Sequence, residues 1–164
     1  MTDDTKLAQQ GDTAAFARLY ETVYKELYHT AFYSLRNNEQ DAADVVSETV
    51  MEAFASIKNL KKPEAFRSWI FRILSVKIKR KQRDYYRQQE ELTPPHAAVD
   101  FSYAASELRE ILQTLSDTDR LILSLSVLSG YTCEEIGQLC DMPSGTIRSR
   151  LSRLKAALRV QLQD

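Results

Sequence analysis

The 164-residue sequence holds only four glycines and four prolines, and so it is short of turns. A chain that rarely breaks, and that leans on Ala, Leu, Glu, Lys, Gln and Arg, favours helix over strand. It also lacks a long apolar run. The densest, LILSLSVL at 121–128, falls far below the ~18 residues that cross a bilayer. The acidic, polar start MTDDTKLAQQGD resembles neither a secretory nor a transit peptide, which leaves the cytoplasm as the default location. Cysteine is scarce as well. Cys133 and Cys140, if both lie on one helix, stand two turns apart, about 10 Å along its axis and too far for a disulfide. With only His29 and His96 besides, no metal-ligand spacing exists and no metal or cofactor is expected. Both thiols read as small buried side chains. Without a glycine-rich phosphate loop or a nucleophile–base constellation, an enzyme is the least expected class.

Net charge is nearly absent too, at −1, but the charges are sorted along the chain. Residues 1–57 hold 4 basic and 10 acidic side chains, and residues 58–92 hold 11 and 4. Residues 93–145 hold 2 and 8, and residues 146–164 hold 5 and 1. Two separate basic zones on a near-neutral protein suggest two local contacts with a polyanion, the alternative being two solvated helix faces.

What is present is helical periodicity. After a short N-terminal helix ended by Gly11, Asp12 or Thr13 caps a long one. Its apolar face runs through Phe16, Leu19, Tyr20, Val23, Leu27, Ala31, Phe32 and Leu35. Asn37 and Asn38 close it. The next helix repeats Ala42, Val45, Val46, Thr49, Val50, Ala53, Phe54 and Ile57 inward. Its other face carries Asp41, Asp44, Ser47, Glu48 and Glu52 and no positive charge. Such a face repels DNA; it docks a basic protein surface or is simply solvated. Pro63 then suits the first turn of a third long helix. That helix has Phe66, Ile70, Ile73, Leu74 and Ile78 inward. Arg67, Arg72, Lys77, Lys79, Arg80, Lys81, Arg83 and Arg87 are read as outward, interleaved with Trp69, Phe71, Tyr85 and Tyr86.

The Pro-Pro stretch at 90–106 has no helical period and reads as a linker. It divides the chain into an N-terminal domain, 1–89, and a C-terminal domain, 107–164. The expected fold class is therefore all-α, two small helical domains. In the second, Leu108, Ile111, Leu112 and Leu115 form one face, and Ser116 to Asp119 resembles a capping box. A helix then runs to Gly130, and Thr132 and Glu135 form a second capping box. On a helical wheel of the last helix, Ile147, Leu151, Leu154 and Leu158 define the core direction. Away from it lie Ser144, Gly145, Thr146, Arg148, Ser149, Arg150, Ser152 and Arg153, a rim of guanidinium groups around a small, hydroxyl-bearing surface. A surface of that kind enters a major groove, hydrogen-bonds base edges and holds phosphates with its rim. Together with the preceding capped helix and the turn at 140–142 it forms a helix-turn-helix.

The run TCEEIGQLCDMPSGTIRSRLSRLKAAL (132–158) resembles the C-terminal DNA-binding domain of bacterial sigma factors, in particular the extracytoplasmic-function (group 4) type. LQTLSDTDRLILSL resembles the segment this family uses ahead of its helix-turn-helix, where a polymerase flap is contacted. FARLYETVYKELYHTAFYSL, DAADVVSETVMEAF and FRSWIFRIL resemble successive parts of the family's promoter-melting domain. The resemblance implies that Asp41, Asp44, Val45, Ser47, Glu48 and Glu52 dock on a coiled coil of the polymerase β′ subunit. It implies that Asn59, Lys61, Lys62, Phe66, Trp69, Arg72, Lys77, Lys79, Arg80 and Arg83 open and hold the −10 element, and that the last helix reads the −35 element as duplex. Melted bases need a stacking surface and their backbone needs cations, which this helix offers; Trp69 serves either as that surface or as a core aromatic. The implied partners are core RNA polymerase through its β′ coiled coil and β flap, promoter DNA as duplex and melted strand, and an anti-sigma protein. The sequence departs from the family at Ser47, where Gln is usual, at Phe54, often Trp, at Val76, commonly Asn, and at Asp117, often Pro. Two other readings are a helix-turn-helix regulator that does not melt promoters and a decoy that sequesters polymerase. The first leaves Trp69 in a basic helix without a purpose, and the second leaves Arg148, Arg150 and Arg153 without one.

Overall fold

The computed structural model describes residues 1–89 and 114–163, and among them there is no strand. Helix α1 spans Thr2–Gln9, α2 Thr13–Ser34, α3 Glu39–Ser56, α4 Phe66–Gln89, α5 Asp117–Val127, α6 Cys133–Cys140 and α7 Ser144–Gln163. Two 3-10 turns, Ile57–Asn59 and Pro63–Ala65, join α3 to α4. The protein is all-α, with helices α1–α4 in its N-terminal half and α5–α7 in its C-terminal half. The linker expected at 90–106, and the face of Leu108, Ile111 and Leu112, lie outside the described residues.

Local chemistry sets the helix boundaries. Asp12, not Thr13, caps α2: its carboxylate accepts from the Ala15 amide at 3.0 Å. Gly11 supplies the left-handed turn just before it, with φ +99°. Asn38 caps α3 by accepting from the Asp41 amide at 2.9 Å. Ser116 caps α5 and Thr132 caps α6, each accepting at 3.2 Å from the amide three residues on. The Thr132 hydroxyl also donates to Glu135 Oε1, so this capping box closes through its two side chains. Between α2 and α3, Arg36 and Asn37 both hold left-handed backbone, with φ of 58° and 59°. Asn tolerates that conformation, but the Cβ of Arg36 disfavours it and makes this turn costly.

The apolar stripes meet as the periodicity requires. Leu19, Val23, Leu27 and Ala31 of α2 pack with Ala42, Val45, Val46 and Ala53 of α3 and Phe66, Ile70, Leu74 and Ile78 of α4. One helix departs from its reading. Phe71, expected outward among the cations, is fully buried, and its ring meets Tyr131 edge-on at 5.4 Å. The reason is that α4 buries two faces, one on the N-terminal core and one on the C-terminal half. Ser75 and Gln82, both buried, follow from the same placement. Helix α5 is enclosed nearly all round, with Leu121, Ile122, Leu123, Ser124 and Leu125 all buried. A single cluster of buried residues runs through both halves.

Candidate nucleic-acid and polymerase interfaces

The helix-turn-helix forms because Asp141 turns left-handed at the end of α6, φ 54°, a conformation Asp tolerates better than most residues. The turn is tight enough to press on α6. A Cβ on Gly137 would lie 2.6 Å from the Met142 carbonyl oxygen. Gly137 was not singled out by periodicity; its only signal is a glycine inside a short helix, which costs roughly 1 kcal/mol unless packing demands it. Ile147, Leu151 and Leu154 of α7 are buried, and Leu158 is half-buried. On the outward side Gly145, Thr146, Arg148, Ser149, Ser152 and Arg153 are exposed and Ser144 is partly so. Space around Gly145 is open, with nothing within 4 Å of an added Cβ. Arg150 differs from its neighbours. It donates to Asp119 at 3.0 Å and thereby ties α7 to α5. Among the described residues no partner is seen for the other two rim cations, Arg148 and Arg153.

Helix α4 and the loop before it carry the second basic surface. Gln9 fastens that loop from α1, donating to the carbonyls of Ile57 at 3.1 Å and Leu60 at 2.8 Å. Asn59, Lys61 and Lys62 stand exposed on it, and Arg72, Arg80 and Arg83 are exposed along α4. Val76, 49 % exposed, sits among them. Trp69 is half-buried on the wall of a 350 Å³ cleft that Leu60, Lys61, Arg72 and, from the other half, Tyr131 and Gln138 also line. Two expectations for this surface fail on burial. Phe66 is 0 % exposed and belongs to the core, so it cannot meet a base. Lys77 is 9 % exposed and pairs with Glu52 at 2.6 Å, which turns it toward α3. Lys79 is half-buried and, while the two halves meet, donates to the Leu139 carbonyl at 3.3 Å.

The acidic face of α3 is also narrower than its spacing suggested. Val45 is 3 % exposed and serves the core. Asp41 pairs with Lys81 at 3.3 Å and accepts from the Tyr85 hydroxyl. Burial, and then Asp41 itself, hold the Tyr85 phenol far above its ordinary range. Glu52 is taken by Lys77. Asp44, Ser47 and Glu48 remain exposed, beside a strongly exposed Met51 at 71 % and Phe54 at 48 %. Asp44, Ser47, Glu48 and Met51 border a cleft of 320 Å³ against Arg80 and Lys81 of α4. Of the two cysteines expected to be buried, Cys140 is, and burial pushes its thiol up, whereas Cys133 at the start of α6 is only half-buried. Among the described residues no group of His, Cys, Asp and Glu could hold a metal ion, and no helix is long and apolar enough to cross a membrane.

A two-part helical protein with an exposed, arginine-rimmed helix of small polar side chains, a second cationic helix bearing a tryptophan, and a carboxylate face is suited to be a DNA-binding transcription factor that also has a protein surface to offer. Comparison with known proteins narrows that class. The Sigma-70 region 2 family matches residues 19–91, and Sigma-70, region 4 matches residues 105–158. The ECF RNA polymerase sigma factor SigW of Bacillus subtilis is 27 % identical over 97 % of this chain and 95 % of its own. Among solved structures, the sigma factor RpoE in complex with the anti-sigma factor NepR from Bartonella quintana superposes with a TM-score of 0.73. It is 26 % identical and covers 90 % of this chain and 96 % of its own. CnrH in complex with the cytosolic domain of CnrY shares the fold, at a TM-score of 0.72 and 24 % identity, covering 99 % of this chain and 96 % of its own. The chain belongs to the extracytoplasmic-function sigma factors. It directs core RNA polymerase to promoters, as that family does.

Proposed function

We propose a division of labour within this sigma factor. Helix α7 reads the −35 element as duplex through Ser144, Gly145, Thr146, Arg148, Ser149, Ser152 and Arg153. The loop with Asn59, Lys61 and Lys62, together with Trp69, Arg72, Arg80 and Arg83 of α4, holds the opened −10 strand. Asp44, Ser47 and Glu48 dock on the basic β′ coiled coil, and α5 leads toward the β flap. The protein acts in the cytoplasm, catalyses no covalent step, and is held inactive by an anti-sigma protein, the kind of partner that NepR is to RpoE. The observation that carries this reading is the pair of exposed cationic helix faces on α4 and α7, with the exposed carboxylates Asp44 and Glu48 on α3.

Each role has its own test. Arg153→Ala weakens duplex binding by roughly 1–3 kcal/mol, with relaxed specificity at one base pair if the guanidinium reads a base; an unchanged affinity in a mobility-shift titration removes α7 from the groove. Trp69→Leu keeps the wall of the cleft but loses the stacking plane. Duplex binding should persist while open-complex formation falls by about tenfold or more, since base–aromatic stacking is worth ~1–3 kcal/mol. Permanganate reactivity of melted thymines reads this directly. Unaltered melting assigns Trp69 to the core alone.

A further inference from the structure

The two halves of the protein meet along a seam where buried polar contacts stand beside apolar ones such as Phe71 on Tyr131. Its centre is Asp117, whose carboxylate is 5 % exposed and accepts from Arg36 Nε at 3.3 Å and Nη2 at 3.2 Å. Gln82 of α4 bridges the same place, donating to the Ser34 carbonyl at 3.0 Å and the Asp117 carbonyl at 2.9 Å. Around it, the Thr30 and Ser129 hydroxyls bond at 2.9 Å, and Arg67 donates to the Ser129 carbonyl at 2.9 Å while lying over Tyr131 at 4.8 Å. Lys79 closes the far end on Leu139.

Two features mark this seam as built to close and to open. Arg36 reaches Asp117 from a turn in which it and Asn37 are both left-handed; Asn tolerates that conformation, but for Arg36 it costs of order 1–3 kcal/mol that surrounding contacts must offset. The strained turn sets Arg36 over the Tyr85 ring, 4.8 Å from its centroid, and aims it across the seam. Against that closure, Ser34 Oγ, Arg120 Nε and Tyr131 OH are buried without a partner among the described residues, each a desolvation penalty that separation removes.

We infer that Asp117 is an interdomain latch, which with Arg36 and Gln82 holds the free sigma factor closed and unable to engage a promoter. The inference rests on the assignment of α4 to the −10 and α7 to the −35 element. Those elements are about 25 base pairs apart, roughly 85 Å of duplex at 3.4 Å per step. Here α4 touches the helix-turn-helix half through Phe71 and Lys79. Both elements cannot be read from this arrangement, so the halves must part first. The chain from 90 to 113 spans roughly 80 Å at most when fully extended, which suffices once the binding residues' own reach is added. Asp117 occupies the first turn of α5, where its carboxylate is not needed for the cap that Ser116 provides.

The test uses the full chain and three variants: Asp117→Asn, Arg36→Gln and the pair. Small-angle scattering of the wild type should give a radius of gyration near the ~15 Å of a compact chain of this length. Either single variant should expand it and speed association with core polymerase by about tenfold, the weight of a charge-assisted contact. The double variant should go no further, because both changes break one contact. A variant that expands but also loses run-off transcription at saturating polymerase has unfolded, and the variant in the other half then decides. A wild type already as expanded as the variants, or variants as compact and as slow to associate as the wild type, overturns the latch. Wild-type protein that drives no transcription overturns the promoter assignments instead, whatever the scattering shows.

Discussion

Replacing Asp44 and Glu48 together with lysine abolishes binding to core RNA polymerase and leaves the fold intact. Both carboxylates stand on exposed turns of α3, one helical turn apart. Asp44 accepts only from its neighbour Gln40, at 3.0 Å, and Glu48 makes no ion pair among the described residues. Against a basic partner each reversal turns an attraction into a like-charge contact, which costs several kcal/mol. A loss of at least ~100-fold is expected from the pair. The folded protein hardly registers the change, because exposed charge interactions of this kind are worth about 1 kcal/mol or less even beside Arg80 and Lys81. Asp41 and Glu52 would be the wrong residues for this experiment. Reversing Glu52 strands the nearly buried Lys77, and reversing Asp41 strands Lys81 and Tyr85, so lost binding would then report a damaged α3–α4 contact. The measurement is a titration of fluorescent core polymerase alongside a thermal melt. Retained binding with a normal melt sinks the docking assignment.

Gly137→Ala disables promoter recognition from inside the protein. The added Cβ would sit 2.6 Å from the Met142 carbonyl oxygen and 3.4 Å from the Ser144 amide nitrogen. Both are backbone atoms of the turn, so no side chain can swing aside. The turn must move, and α7 starts at Ser144. Overpacking of this sort costs ~1–3 kcal/mol of stability. The larger effect falls on DNA, because displacing α7 by an ångström misplaces Arg148, Ser149 and Arg153 together. Gly145→Ala is the control: its Cβ meets nothing, and alanine favours a helix by up to ~1 kcal/mol. Stability should fall in the first variant and hold or rise in the second. If both melt alike, the turn has relieved the close contact at Gly137 and α7 is not displaced.

Much of this architecture was legible in the sequence because helices announce themselves locally. Capping residues at Asp12, Ser116 and Thr132 act within three residues of where they stand, and a 3.6-residue stripe needs only one buried face. The exposed polar side of α7 was readable for the same reason. What stayed hidden lies between helices. Phe71, Ser75 and Gln82 are buried because α4 has two buried faces, and a single-stripe reading allots it one. Lys77 looked like a DNA cation because nothing in its own helix reveals Glu52. Arg150 looked free because Asp119 is 31 residues away. Asp117, conspicuous only as a departure from the proline the resembling family often has there, acquired a physical role once Arg36 was seen to reach it.

The central claim is that one chain both docks core polymerase and opens promoter DNA, and run-off transcription tests it most directly. Purified core polymerase is incubated with the protein on a library of promoter fragments, and core binding and transcripts are scored in the same reactions. The account predicts stable core binding and transcripts from a restricted set of fragments, lost with the Asp44 and Glu48 reversals and with Gly137→Ala. Core binding without any transcript, or fragment binding without core, would contradict it.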